Sequence, residues 1–151
     1  IGSMMREEVA KGTEFGRYAA PFIETGTMVS LERITQFLKQ KLTSQDVQAT
    51  GYVMNGYPRN VESLESYLAF EQPTAVIHLL ASDDIVRKRL KERGRADDTP
   101  EVIETKLRRY HETEKAACEY VRTKTDIPFL EVDASQPAEE VTRQILKFIS
   151  V

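Results

Sequence analysis

The stretch from Thr50 to Asn60, TGYVMNGYPRN, constrains the fold more than any other part of the chain. Tyr52, Val53 and Met54 form a short apolar run between Gly51 and Gly56. Such a run predicts a buried strand over 51–55, of the kind found in parallel sheets. Gly56 tolerates a backbone that other residues resist, and Pro58 fixes its own φ while driving Tyr57 to an extended shape. Asn60 stands at the N-cap position of a helix over 61–70 that carries Leu64, Tyr67 and Leu68. The product is a strand, a rigid turn, Arg59 and a helix. Open α/β sheets bind ligands at turns on the carboxyl ends of their strands. A planar guanidinium held there suits bidentate recognition of phosphate. On this stretch alone, an ordinary surface arginine after a turn explains the pattern equally well.

The rest of the chain supplies helices and two further strands. Met4, Met5 and Val9 give one apolar helical face, which Gly12, Thr13 and Gly16 are expected to break. A short helix is expected over 17–24, ended by Gly26. Ser30 is placed to cap the next helix, whose Ile34, Phe37, Leu38 and Leu42 recur at core spacing. Lys39 and Lys41 then read as its wet side. Residues 74–80 form the most apolar strand, in which His78 reads as a core or sheet-face histidine. Ser82-Asp83-Asp84 starts a helix to about Glu92, with Ile85, Val86 and Leu90 facing inward. Thr99-Pro100 is a strong start for a long helix bearing Ile103, Leu107, Tyr110, Ala117 and Val121. His111 and Cys118 read as structural residues on it. Residues 129–133 are the last strand, and Ser135 is expected to cap a final helix with Val141, Ile145, Leu146, Phe148 and Ile149. Strands alternating with helices predict an α/β fold with a parallel sheet.

Composition narrows the function classes. A chain of 151 residues with 40% apolar and 30% charged side chains fits one globular domain, 1–151, with a real core. The net charge of −3 argues against general nucleic-acid binding. No apolar run is long enough to cross a membrane. With one cysteine and two histidines, no metal-ligand cluster is visible. A lone cysteine permits no internal disulfide, which favours a reducing compartment and a cytoplasmic location. From Arg87 to Arg95 six of nine residues are basic. A charged helix face is usually only a solvated face. Here Arg93 and Arg95 flank a glycine, so they can converge, and Asp97 and Asp98 come directly after to hold them.

Three segments in order carry a resemblance. Asn55-Gly-Tyr-Pro-Arg59 resembles the Asp-Gly-Phe/Tyr-Pro-Arg motif of the nucleoside monophosphate kinases, the adenylate kinase and UMP/CMP kinase family. Gly2-Ser-Met-Met-Arg6, with its continuation to Thr13, resembles the segment that opens the monophosphate-binding region, here about 1–43. Arg93-Gly-Arg-Ala-Asp-Asp98 resembles the arginine-bearing lid, here about 93–99. The resemblance implies a three-layer parallel sheet with helices on both faces. It also implies transfer of a phosphoryl group from ATP, with Mg²⁺, to AMP, CMP or UMP. Arg6 and Arg59, with Gly56 and the main chain at Val29, would bind the monophosphate. Arg93 and Arg95 would close over the transferring group, positioned by Asp97 and Asp98, with Arg89 near the donor nucleotide.

The departures from that pattern are specific. The sequence contains no Gly-x-x-Gly-x-Gly-Lys loop, whose N–H groups and lysine cradle donor phosphates. Asn55 replaces an aspartate that organises Mg²⁺, and an amide has no charge for a hard cation. Ser3 replaces another aspartate. Lys106 stands where the family often has an arginine, and Ser63 where many members place a base-reading amide. The first, central strand of the family's sheet is also missing, so a longer parent chain or a partner protein is expected to supply it. These departures keep a second reading open: a catalytically degenerate domain, structural or nucleotide-sensing, within a larger assembly such as a ciliary or flagellar axoneme.

Overall fold

The structure is a computed structural model that describes residues 1–25, 27–95 and 98–150. It divides into two compact units, Ile1–Glu71 and Gln72–Val151.

The first unit is helical throughout. Its helices are α1 (Gly2–Ala10), α2 (Glu14–Thr25), α3 (Leu31–Leu42), α4 (Gln45–Thr50) and α5 (Val61–Leu68). The core forms where the apolar spacing in α3 predicts: Ile34, Phe37, Leu38 and Leu42 are buried together with Ala19, Val29, Tyr57 and Tyr67. Phe15 stacks on Phe37 with ring centroids 4.0 Å apart. Gly16 does not break a helix; it lies inside α2 and lets α2 press onto α1. A Cβ at Gly16 would collide with the Glu8 carbonyl, so only glycine fits there. Ser30 occupies the N-cap of α3 without a side-chain cap bond. Its hydroxyl instead accepts from the Tyr18 hydroxyl at 3.1 Å. Lys41 is more than a solvated side chain: its Nζ donates to Glu8 Oε1 at 2.8 Å. That bond, with a smaller contribution from Thr13, holds the buried Glu8 carboxyl below its ordinary pKa. Lys39 lies over the Phe70 ring at 5.1 Å. The position expected to end α2, Gly26, lies outside the described residues.

The expected strand over 51–55 is not formed. Those residues have no regular secondary structure, and the Val53 side chain is 98% exposed. The physical reason is that a strand exists only with a hydrogen-bonding neighbour, and no described residue forms a ladder with this segment. The turn after it is as expected. Gly56 has φ 83°, the Tyr57–Pro58 peptide is cis, and Asn60 caps α5.

The second unit carries the α/β character. Strands β1 (Val76–Leu80) and β2 (Phe129–Asp133) pair in parallel, with Val76 opposite Phe129 and Leu80 opposite Asp133. Between them run α6 (Asp83–Arg93), α7 (Pro100–Arg109), a π-helical turn (Tyr110–Glu114) and α8 (Lys115–Lys124). A crossover of this length is what a parallel pair requires. Thr99 caps α7, its hydroxyl accepting from the Val102 N–H at 3.3 Å, with Pro100 at the first helical position. Ile103, Leu107, Ala117 and Val121 are buried along α7 and α8, with Val132 from β2. His78 is a sheet-face residue held at both ring nitrogens, 3.3 Å from Glu131 Oε2 and 3.0 Å from the Tyr110 hydroxyl. His111 reaches Asp83 at 3.0 Å. Burial pushes the Cys118 thiol above its ordinary pKa, which fits a structural rather than a reactive cysteine.

Two helices differ from expectation. Ile85, Val86 and Leu90 of α6 are only half-buried. Helix α9 (Ala138–Ile149) begins after Pro137, so Ser135 is not its cap; the Ser135 N–H donates to Asp133 Oδ1 at 2.9 Å in the preceding turn. Val141, Ile145 and Phe148 are half-buried, whereas Leu146 and Ile149 are each 53% exposed. Among the described residues, no helix is long and apolar enough to cross a membrane.

Candidate functional site

The turn after 51–55 builds the first cationic group. Gly56 takes a positive φ, and the Arg59 side chain folds back over it. Arg59 Nε donates to the Gly56 carbonyl at 2.7 Å. A Cβ on Gly56 would lie 3.2 Å from an Arg59 terminal nitrogen. Glycine is therefore favoured by the positive φ, and a side chain there would also press on the Arg59 guanidinium. Below the arginine, the start of α5 is tied by Asn60 and Ser63. The Ser63 N–H donates to Asn60 Oδ1 at 2.8 Å, and the Asn60 N–H donates to Ser63 Oγ at 3.1 Å. This is a reciprocal capping box.

Helix α1 brings Arg6 to the same place. A terminal nitrogen of Arg6 lies 3.6 Å from where a Gly2 side chain would begin. The Ile1 amino group donates to the Asn55 carbonyl at 2.8 Å, which ties the start of α1 to the turn. Two guanidiniums separated by 53 positions thus lie on either side of the Ile1–Asn55 junction of the first unit. Two such groups around one space can neutralise and grip a dianionic phosphate. Of the other expected monophosphate-binding residues, Gly56 is under the Arg59 guanidinium, and the Val29 side chain is spent in the core.

The second cationic group lies at the end of α6. Gly94 ends the helix in the left-handed conformation, φ 62°. Arg93 then forms a fork on Asp98, with Nε at 2.8 Å from Oδ2 and a terminal nitrogen at 2.7 Å from Oδ1. Lys106 of α7 reaches the same Oδ1 at 2.9 Å. The Asp98 carboxylate is 1% exposed. The Arg93 bond first, with Lys106 adding to it, holds its pKa far below the usual carboxylate range. The pairing of Arg93 with Asp98 that their sequence neighbourhood suggests is therefore formed. Arg95 and Arg89 are exposed; the Arg95 carbonyl accepts from the Asp98 N–H at 2.9 Å. Asp97 lies outside the described residues. Arg87 is engaged elsewhere, forked on Glu104 at 2.6 and 3.1 Å.

Two contributors were not expected from the sequence. Lys106 is an anchor for Asp98 as well as a substitution for an arginine. Ser63 is a structural clamp beneath Arg59. Its spacing from Asn60 is the cap-to-third-residue spacing of a capping box, but that signal is usually carried by Glu or Gln. No group of three or more His, Cys, Asp or Glu residues among those described can hold a metal ion. Asn55 is exposed and offers an amide, so the described residues do not form a Mg²⁺ site.

The family model for adenylate kinase matches residues 1–126. The chain is 33% identical to an adenylate kinase of Stenotrophomonas maltophilia, over 98% of the chain and 82% of that protein. It is 35% identical to an adenylate kinase of Oenococcus oeni, over 99% of the chain and 81% of that protein. A third, from Mycolicibacterium smegmatis, is 34% identical over 80% of the chain and 69% of its own length.

Proposed function

The chain belongs to the adenylate kinase family, and from that premise we propose that its first unit binds the acceptor nucleoside monophosphate of a phosphotransfer reaction. In that reaction the γ-phosphorus of ATP forms a bond to an acceptor phosphate oxygen. Its bond to the β,γ-bridging oxygen breaks, and that oxygen leaves on ADP with the electron pair. Catalysis of this step is mainly positioning and charge neutralisation. The observation that carries the reading is the junction at which the Ile1 nitrogen is bonded to the Asn55 carbonyl, with the Arg6 guanidinium beside Gly2 on one side and the Arg59 guanidinium beside Gly56 on the other. In this reading the guanidinium ends of Arg6 and Arg59 take the oxygens of AMP, CMP or UMP. Arg93 and Arg95 serve the transferring group, Asp97 and Asp98 position them, and Arg89 lies toward the donor nucleotide.

The donor side is incompletely supplied by these 151 residues. They include no glycine-rich phosphate loop, and among the described residues Asn55 offers an amide rather than a carboxylate, so no step is assigned to Mg²⁺. Mg²⁺ usually enters such sites on the substrate phosphates themselves. Turnover in this reading draws on a strand and phosphate loop from polypeptide outside this sequence. A second reading, a nucleotide-sensing or structural domain in a larger assembly, is favoured by one specific arrangement. Lys106, at a position where the family often has an arginine, is tied to Asp98 at 2.9 Å.

The deciding assay measures phosphoryl transfer with ATP, Mg²⁺ and AMP, CMP or UMP in turn. It is run on the chain alone and on the chain fused to a strand and Gly-x-x-Gly-x-Gly-Lys loop. Turnover only in the fusion supports the kinase reading and reports the base preference. Monophosphate binding without turnover in either form supports the sensing reading. Absence of binding in both removes the site.

A further inference from the structure

We propose that Ser63 is a positioning residue for Arg59, acting on phosphate binding without touching the nucleotide. This rests on the reading of Arg59 as a monophosphate ligand. Ser63 is 2% exposed. Its hydroxyl donates to the Asn60 carbonyl at 2.9 Å. It also accepts from the Arg59 N–H at 3.0 Å and from the Asn60 N–H at 3.1 Å. A hydroxyl has one proton to give and two lone pairs to offer, so all three capacities are used. The Ser63 carbonyl in turn accepts from the Tyr57 hydroxyl at 3.2 Å.

The Ser63 contacts therefore run from Tyr57 to Asn60, across the whole turn that presents Arg59. Another fixed point of that arginine is its Nε bond to Gly56. One bond sets the arginine's main chain and the other its side chain. Removing the first lets the peptide of Arg59 rotate, which moves the guanidinium away from the place it shares with Arg6. A group so buried and so fully bonded has nothing left with which to read a base. The loss on removing it must then be the same for every base.

The experiment is calorimetric titration of the chain with AMP, CMP, UMP and adenosine, beside thermal unfolding. Ser63→Ala keeps the Ser63 main-chain bond to Asn60 Oδ1. It is expected to weaken all three monophosphates by a common factor of roughly 10, the scale of one to two lost hydrogen bonds. The ratios among AMP, CMP and UMP and any adenosine affinity stay unchanged. Ser63→Thr, which restores the hydroxyl, recovers most of the loss. Asn60→Ala serves as the control: it removes the other half of the capping box and lowers the melting temperature, yet keeps the Ser63–Arg59 bond and the affinity. Three results would overturn the proposal: unchanged affinity in Ser63→Ala, a changed base ratio, or equal affinity losses in Ser63→Ala and Asn60→Ala. If the unmodified chain binds none of the monophosphates, the parent reading of the site fails instead.

Discussion

Arg59 and Arg93 are presented in opposite ways. Arg59 meets uncharged groups at two points: the Gly56 carbonyl takes its Nε, and the Ser63 hydroxyl takes its main-chain N–H. A buried carboxylate fixes Arg93, with both oxygens of Asp98 engaged and Lys106 added. Neither of these two acceptors titrates. The charged clamp is stronger per bond, but it ties the position of the arginine to the ionisation of Asp98. A rigid turn therefore orients one cation by shape, whereas a short loop after α6 orients the other by charge. The difference suits their sequence settings. The first turn is stiffened by Gly56, Pro58 and a capped helix, and the described part of the second is bounded by Gly94 and the start of α7.

The comparison can be broken in several places, from large effects to small. Removing both cations of the first unit, Arg6→Ala with Arg59→Ala, should abolish measurable AMP binding, a loss of about 3 kcal/mol or more at the scale of charge-assisted bonds. Asp98→Asn should leave AMP affinity of the first unit within about twofold. If instead it matched the double variant, the two clamps would not be independent.

Asp98→Asn should cost stability, by roughly 1–3 kcal/mol, because it strips a buried acceptor of the charge that Arg93 and Lys106 answer. Denaturant unfolding measures this. The cost should depend on pH. The folded-state pKa of Asp98 is depressed below its ordinary 3.8. Its contribution is then fully present above that value and lost as pH falls toward the folded-state pKa. The stability gap between the chain and Asp98→Asn should be constant from about pH 5 upward and shrink below about pH 4. A gap that grew on acidification would contradict the assignment of charge to this clamp. Asn60→Ala, on the uncharged side, should show no such change.

Lys106→Ala should be milder, a few tenths to about 1 kcal/mol, since Lys106 is partly exposed and the Arg93 fork remains. Val53→Ala should have the smallest effect, within about 0.5 kcal/mol, as expected of a surface position. A loss near the roughly 2 kcal/mol or more typical of a buried aliphatic side chain would show that 51–55 packs as a strand after all.

Much of this architecture can be read in the residues because its causes are local. Thr99-Pro100 starts α7, Ser82 caps α6, and the spacing of Ile34, Phe37, Leu38 and Leu42 marks the buried face of α3. The two strands that pair are also legible, as apolar runs at Val76–Leu80 and Phe129–Asp133. The failures have non-local causes. Tyr52-Val53-Met54 has strand composition, but composition does not supply a neighbouring strand. Gly16 looks like a helix breaker until α1 lies against it, and Lys41 looks solvated until Glu8 is found beneath it. At the site, Arg93 and Asp98 are close enough in sequence for their pairing to be foreseen. Arg6 and Arg59 can be paired only through the family resemblance, since 53 positions separate them. Ser63 stays hidden because a serine at the third helical position is a weak signal for a clamp.

The measurement that tests the central claim most directly is calorimetric titration of AMP into the chain and into Arg59→Ala. If the Gly56–Arg59 turn holds the acceptor phosphate, the chain binds AMP and the variant binds it about 1.5–3 kcal/mol more weakly, with adenosine unaffected. Equal AMP affinity in the two proteins would remove Arg59 from the site, and with it the assignment of the first unit to monophosphate binding.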